Sequence, residues 1–302
     1  MPPKTNVIIA GTTRAGTTSL FLYLADHPSI CRAVRKETRF FLDNNYPLER
    51  VASFESGYDA YAQLFEPCMQ NPVWLEATPD YLHSPGTATR IAETLDDVHL
   101  VFLLRDPIER LQSWYQYAIQ RGLIPETETL EHWIRQQLER EPSESTPQHE
   151  RVLTQGRYSI DLQAYFGHFE RQRLHVWSHS AFQREPRLYL QEICDAISVH
   201  SDFFQDYTLE QYNPSFQPRS VEFHLRYQRL SERIRAAVLG RRTFRRMLAG
   251  IKRPLDSIYR TMNAVHSSRE GIPNDLHKQL EAYYDGEIQR LSELLGGKQW
   301  RW

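Results

Sequence analysis

A chain of 302 residues, 40% hydrophobic and 25% charged, has enough apolar content to bury a sizeable core and the charge density of a soluble globular protein. Its formal net charge of -2 gives no overall pull toward nucleic acid, so no nucleic-acid partner is expected. No stretch approaches the roughly 20 apolar residues that a membrane helix needs. The first residues carry no apolar signal core. Three widely spaced cysteines, Cys31, Cys68 and Cys194, are expected to be buried reduced thiols of a cytoplasmic protein, with membrane association left open.

In chain order, the apolar run 7–10 ending at Gly11 predicts a buried parallel strand. Residues 17–25 predict a helix carrying Leu20, Leu22 and Leu24 and stopped by His27-Pro28. A short strand is expected at 74–77 and a clearer one at 99–104, ending at Arg105-Asp106-Pro107. A helix over 108–121, closed by Gly122, follows. The acidic stretch 139–150, with Pro142 and Pro147, predicts an exposed loop. A helix near 160–171 then leads to a strand at 174–177. Strands alternating with helices argue an α/β fold, with a central mostly parallel sheet flanked by helices. We expect a single domain over 1–302, with its core at about 5–200 and a helical part at about 201–302. From 219 to 260 basic residues dominate, and Arg241, Arg242, Arg245 and Arg246 lie beside Phe244, Met247, Leu248 and Ile251. Such a helix either packs its apolar stripe on the core and solvates its charges, or contacts a membrane surface or anionic polymer.

The richest signal is the run Ala10-Gly11-Thr12-Thr13-Arg14-Ala15-Gly16-Thr17-Thr18-Ser19-Leu20, between a strand and a helix. Backbone N–H groups and the helix dipole make an anion site at such a junction. Gly11 and Gly16 allow a tight turn and close approach, the hydroxyls add donors, and Arg14 adds a fixed charge. A Walker A loop would have lysine after the last glycine; Thr17 stands there instead, which opposes an ATP- or GTP-cleaving enzyme. Arg105 repeats the arrangement at the carboxyl end of the clearest strand, where open α/β sheets bind ligands. Ser113, two helical turns on, is spaced to share an anion with it. A nucleotide with phosphates at both ends needs two such sites. For Arg105 an ion pair with Asp106 or Glu109 is the plain alternative.

These two segments resemble the PAPS-dependent sulfotransferases (PAPS is 3′-phosphoadenosine 5′-phosphosulfate), particularly the heparan sulfate type and its bacterial relatives. The resemblance implies a P-loop-like three-layer fold. It makes Thr13, Arg14, Ala15, Gly16, Thr17, Thr18 and Ser19 the 5′-phosphosulfate loop, with Arg14 where the family usually has lysine. Arg105 and Ser113 fall at the 3′-phosphate motif. Lys36-Glu37-Thr38-Arg39-Phe40-Phe41 is similar to the family's Lys-Glu-x-x-Phe-Phe segment, whose glutamate is the catalytic base, so Glu37 takes that role. Arg39 echoes an acceptor-holding arginine of the tyrosylprotein enzymes. With Phe40, and with Asp80 and Tyr81 of the segment Glu76-Ala77-Thr78-Pro79-Asp80-Tyr81, it is expected to meet the acceptor. Gly156-Arg157-Tyr158 matches a further region. Ser268 and Arg269 stand where the family has a basic glycine-containing loop over the 3′-phosphate, though this sequence departs from its glycine- and lysine-rich form.

The implied activity is transfer of a sulfuryl group from PAPS, leaving PAP, to a hydroxyl or amine on a carbohydrate, glycolipid or small natural product. Arg14 would stabilise the leaving phosphate. No metal is expected: His83, His99, His132, His175 and His179 lack metal-ligand spacing and read as structural or surface residues. A P-loop kinase or NTPase, and a nucleotide- or glycan-binding module without catalysis, are the competing readings.

Overall fold

The computed structural model describes residues 4–46, 49–140, 146, 151–209, 271–297 and 300–302. One compact unit draws its described residues from 1–111, 140–212 and 279–302, and a second draws them from 112–139 and 213–278. The first unit is built on five strands: β1 (Thr5–Gly11), β2 (Ile30–Arg32), β3 (Val73–Ala77), β4 (Val98–Leu104) and β5 (Leu174–Ser178). They lie in the order β2-β3-β1-β4-β5, and every pairing is parallel.

The period-two geometry of a strand explains why β1 and β4 read as unbroken apolar runs: both faces are covered. Val7, Ile9, Val101 and Leu103 face one layer, packed with Leu20 and Leu24 of α1 (Thr17–Ala25) and with Leu190 and Ile193 of a helix at Pro186–Ala196. Ile8, Ala10, Leu100, Phe102 and Leu104 face the other. There they meet Tyr61 of a helix at Gly57–Gln63, Ile91 of one at Thr87–Thr94 and Leu162 of one at Tyr158–His168. The result is the expected three-layer α/β arrangement.

The anticipated elements are present with shifted ends. The helix expected near 160–171 spans Tyr158–His168, stopped by an extended Phe169. Strand β2 went unpredicted because three residues are too short to show a period. The helix after β4 runs Pro107–Gln120. In the second unit, Trp114 of that helix stacks on Trp133 of the helix Leu130–Glu139, with ring centroids 5.7 Å apart. The basic segment 219–260 and most of the acidic loop 139–150 lie outside the described residues.

One expectation is corrected. Cys31 and Cys68 are not separate thiols but a disulfide, with Cα atoms 5.5 Å apart across a sequence separation of 37. Wide spacing in sequence hid the pairing, which the return of the chain from β2 to the turn Glu66–Cys68 brings about. Cys194 remains a buried thiol, and burial pushes it up to about 12.

Candidate active site

The anion loop leaves the carboxyl end of β1, the central strand. Thr12 donates its backbone N–H to the Leu103 carbonyl at 2.9 Å. Arg14 and Gly16 then turn through positive φ, 68° and 82°. Gly16 is the left-handed residue that starts α1, whose first turn carries no acidic side chain. A Cβ on Gly16 would sit 3.2 Å from the ring of His179, a tight approach, and the positive φ favours glycine there. The first N–H groups of a helix have no partners within it, which leaves the start of α1 suited to an anion. Arg14 is exposed. Ala15 is buried and offers only its backbone. His179, read as structural from sequence, packs against this turn. Burial, with the charge of Arg105, pushes it down to about 4, so it stands neutral at pH 7.

Arg105, just past β4, binds the loop directly by donating from Nη1 to the Arg14 carbonyl at 3.3 Å. It also pairs with Glu109 at 3.1 Å, so the plain alternative coexists with proximity to the loop. Asp106 is engaged by the backbone that follows it. Its Oδ1 accepts from the N–H groups of Ile108 and Glu109 at 3.0 and 2.9 Å, which caps the following helix. Ser113 lies on that helix in the second unit. Ser268 and Arg269 lie outside the described residues.

Glu37 sits on a turn pinned to the end of β3, the neighbour of β1. Its N–H donates to the Ala77 carbonyl at 2.8 Å, and the Arg39 N–H donates to the Thr78 hydroxyl at 3.1 Å. Glu37 and Arg39 both have positive φ, 63° and 61°. The Glu37 carboxylate pairs with Lys36 and Arg39, each at 3.0 Å. Burial alone would raise this carboxyl; the two cations more than offset it and hold it below its usual range. Beside it, Tyr46, unremarked in the sequence, donates to Asp80 at 2.6 Å. Burial, reinforced by the charge of Glu37, pushes Asp80 up despite that hydrogen bond. Glu37, Arg39, Asp80 and Tyr46 thus form one polar cluster.

Two of the residues expected to meet the acceptor point into the core. Phe40 and Tyr81 are both wholly buried. Phe40 packs on Phe41 and Tyr61, and the Tyr81 hydroxyl accepts the Phe41 N–H at 3.2 Å. They support the turn from beneath instead of lining a cleft. Beneath it too lies Glu76, wholly buried. Its Oε2 accepts from the Thr38 hydroxyl, and its Oε1 has no partner among the described residues. Burial pushes Glu76 up to about 7, against the pull of its hydrogen bonds from Thr38 and Tyr81. A carboxyl raised by folding stabilises fully below its ordinary 4.5, and that contribution is lost as pH rises through about 7. Glu76→Gln is therefore expected to flatten a stability loss on the order of 3 kcal/mol across that window. Denaturation midpoints on either side of it check this.

The three-layer parallel fold, with an anion loop at its central strand and a carboxylate turn at the next, has counterparts among known proteins. A model of the sulfotransferase domain matches residues 4–202. The chain belongs to the sulfotransferase domain family and is a sulfotransferase-family enzyme. Membrane-associated sulfotransferase kil1 of Dictyostelium discoideum is 38% identical over 139 residues, 44% of this chain and 28% of that protein. Heparan sulfate glucosamine 3-O-sulfotransferase 3A1 of Mus musculus is 31% identical over 124 residues, 41% of this chain and 29% of that protein. The matches thus span less than a third of these relatives' lengths. Among solved structures, a sulfotransferase from Alicyclobacillus acidocaldarius superposes with a TM-score of 0.64 at 21% identity, covering 97% of this chain and 96% of that one. That likeness is one of fold.

Proposed function

We propose that this protein transfers a sulfuryl group from PAPS to a hydroxyl or amine of a saccharide-containing acceptor, with Glu37 as general base. One observation carries the reading. A glycine- and hydroxyl-rich loop follows β1, and the turn after β2 that carries the ionised Glu37 is hydrogen-bonded to the same end of the adjacent parallel strand β3. Neighbouring strands lie about 4.8 Å apart, so a group held by the loop is within reach of a nucleophile held beside the carboxylate.

The donor fits the residues present: a loop with positive-φ turns, a helix start without acids, and a cation on each side, Arg14 and Arg105. When bound, PAPS supplies the activated sulfuryl group. The N–H groups of the loop, the hydroxyls of Thr17 and Thr18, and Arg14 then stabilise charge gathering on the departing 5′-phosphate oxygen. Glu37 takes the acceptor proton, while Arg39 and Asp80 orient the acceptor. Arg105 belongs to the 3′-phosphate end in this reading; for Ser113, Ser268 and Arg269 that role rests on the family resemblance alone. Carbohydrate is favoured because Glu37, Arg39, Asp80 and Tyr46 offer hydrogen-bonding groups of both kinds, and because relatives are named for heparan sulfate.

Incubation with isotopically labelled PAPS and a panel of saccharides, glycolipids, small natural products and tyrosine peptides tests this, with label followed by mass spectrometry. Transfer to a saccharide is expected. Nucleotide binding without transfer to any class would favour a non-catalytic module, and hydrolysis of Mg-ATP would favour an NTPase. A second measurement addresses Arg105. Arg105→Ala should weaken adenosine 3′,5′-bisphosphate by about 10–100-fold, the worth of a charge-assisted hydrogen bond, and adenosine 5′-phosphate far less. Equal losses would refute the 3′-phosphate assignment.

On location, no helix among the described residues is long and apolar enough to cross a membrane. The Cys31–Cys68 disulfide weighs against a cytoplasmic setting, since such bonds persist mainly in oxidising compartments. We place the enzyme on the oxidising side of a membrane.

A further inference from the structure

We infer that Asp161, His83 and Thr12 form a buried hydrogen-bonded chain that sets the geometry of the anion loop, which makes His83 a positioning residue for the sulfuryl donor. The inference rests on the donor reading of that loop.

Thr12 is the first residue of the loop. Its hydroxyl lies 3.0 Å from Nε2 of His83, and Nδ1 of the same ring lies 2.6 Å from Oδ2 of Asp161. Thr12 is fully buried and His83 is 2% exposed. A carboxylate only accepts, so Nδ1 carries the proton toward Asp161. The other ring nitrogen, Nε2, meets the Thr12 hydroxyl, which can donate or accept. Only Asp161 reaches solvent, with a side chain 28% exposed.

The chain bears on the loop and not merely on the core, for three reasons. A threonine side chain is stiff at χ1, so fixing its hydroxyl fixes the backbone that leads into Thr13 and Arg14. The other anchor of Thr12, its N–H on the Leu103 carbonyl, comes from β4, so the loop entrance is held from two sides. The turn that supplies His83, Pro79–His83, is also seated without slack on the strand end: a Cβ added to Gly11 would come within 2.8 Å of the Leu82 Cβ. That same turn carries Asp80, so one rigid piece positions both the acceptor cluster and the anion loop. A buried polar chain costs stability unless every member is satisfied; here it preorganises the donors of the loop before the ligand arrives.

The test uses the full chain, with calorimetric titration of two ligands: adenosine 3′,5′-bisphosphate, which carries the 5′-phosphate, and adenosine 3′-phosphate, which lacks it. Thr12→Val keeps the shape and removes the hydroxyl. Asp161→Ala breaks the chain at its solvent end, where folding is least at risk. Thr12→Ser restores the hydroxyl. Each of the first two should weaken the bisphosphate by about 5–20-fold, the worth of one or two buried hydrogen bonds, while affinity for the 3′-phosphate changes less than about twofold. The double variant Thr12→Val/Asp161→Ala should be no worse than Thr12→Val alone, because the chain is already cut. Thr12→Ser should bind as wild type does. Variants that bind both ligands normally, or lose both equally, overturn the inference while leaving the donor reading intact. Wild-type protein that ignores the bisphosphate overturns the donor reading and this inference with it.

Discussion

Replacement of Glu37 by glutamine is expected to reduce sulfuryl transfer by about 10²–10⁴-fold, the usual worth of a general base, while affinity for adenosine 3′,5′-bisphosphate stays within about twofold of wild type. The amide has nearly the shape of the carboxylate, and its one oxygen can still accept from either Lys36 or Arg39, which contact the two Glu37 oxygens at 3.0 Å each. What it cannot do is take a proton. Lys36 and Arg39 overcome the raising effect of burial and keep the carboxyl below its ordinary 4.5. The base is therefore ionised at neutral pH, and the acid limb of the rate profile attributable to it falls below that value. A base must be deprotonated to act, so activity declines as pH drops through its folded value and not before. Labelled transfer measured against pH, with parallel nucleotide titrations, checks both parts. Full turnover by the glutamine variant would remove Glu37 from the mechanism; loss of nucleotide binding would show that the turn supports the anion loop instead.

Much of this arrangement was legible in the sequence because local rules apply there. The runs in β1 and β4 are apolar on both faces, so a buried parallel strand was the economical reading, and Gly11 and Gly16 mark a turn that only glycine fits easily. The Arg105–Glu109 pair was likewise within local reach. What could not be read was contact across the sheet layers. His83 and Asp161 lie 78 positions apart in sequence, and nothing in either neighbourhood announces the other. Cys31 and Cys68 paired for the same reason. Phe40 and Tyr81 neighbour Glu37 and Asp80 in sequence, and the fold buries both rings in the core, a placement that the resemblance alone does not specify. Glu76 did leave a signal, a single charge within an otherwise apolar strand, which marks a carboxyl that burial must neutralise.

The disulfide offers the second large effect. Cys31 lies in the middle of β2 and Cys68 closes the turn Glu66–Cys68, so the loop they enclose contains Glu37, Thr38 and Arg39. Cross-linking residues separated by 37 positions restricts the unfolded chain by about 4 kcal/mol in the loop-closure model. Replacing both cysteines by serine, or reducing the oxidised protein, is therefore expected to lower stability by about 2–4 kcal/mol, read as a shift in the guanidinium midpoint. Loss of turnover should accompany it more than loss of nucleotide affinity, since the anion loop lies outside the enclosed segment while Glu37, the proposed base, lies within it. The third cysteine gives an internal control. Burial pushes Cys194 up to about 12, which leaves almost no thiolate, so an alkylating reagent should spare it in the native oxidised protein and label Cys31 and Cys68 only after reduction. An unchanged midpoint after reduction would mean that the enclosed loop is held by its packing alone, with Phe40, Phe41 and Tyr61 sufficient to keep the Glu37 turn in place.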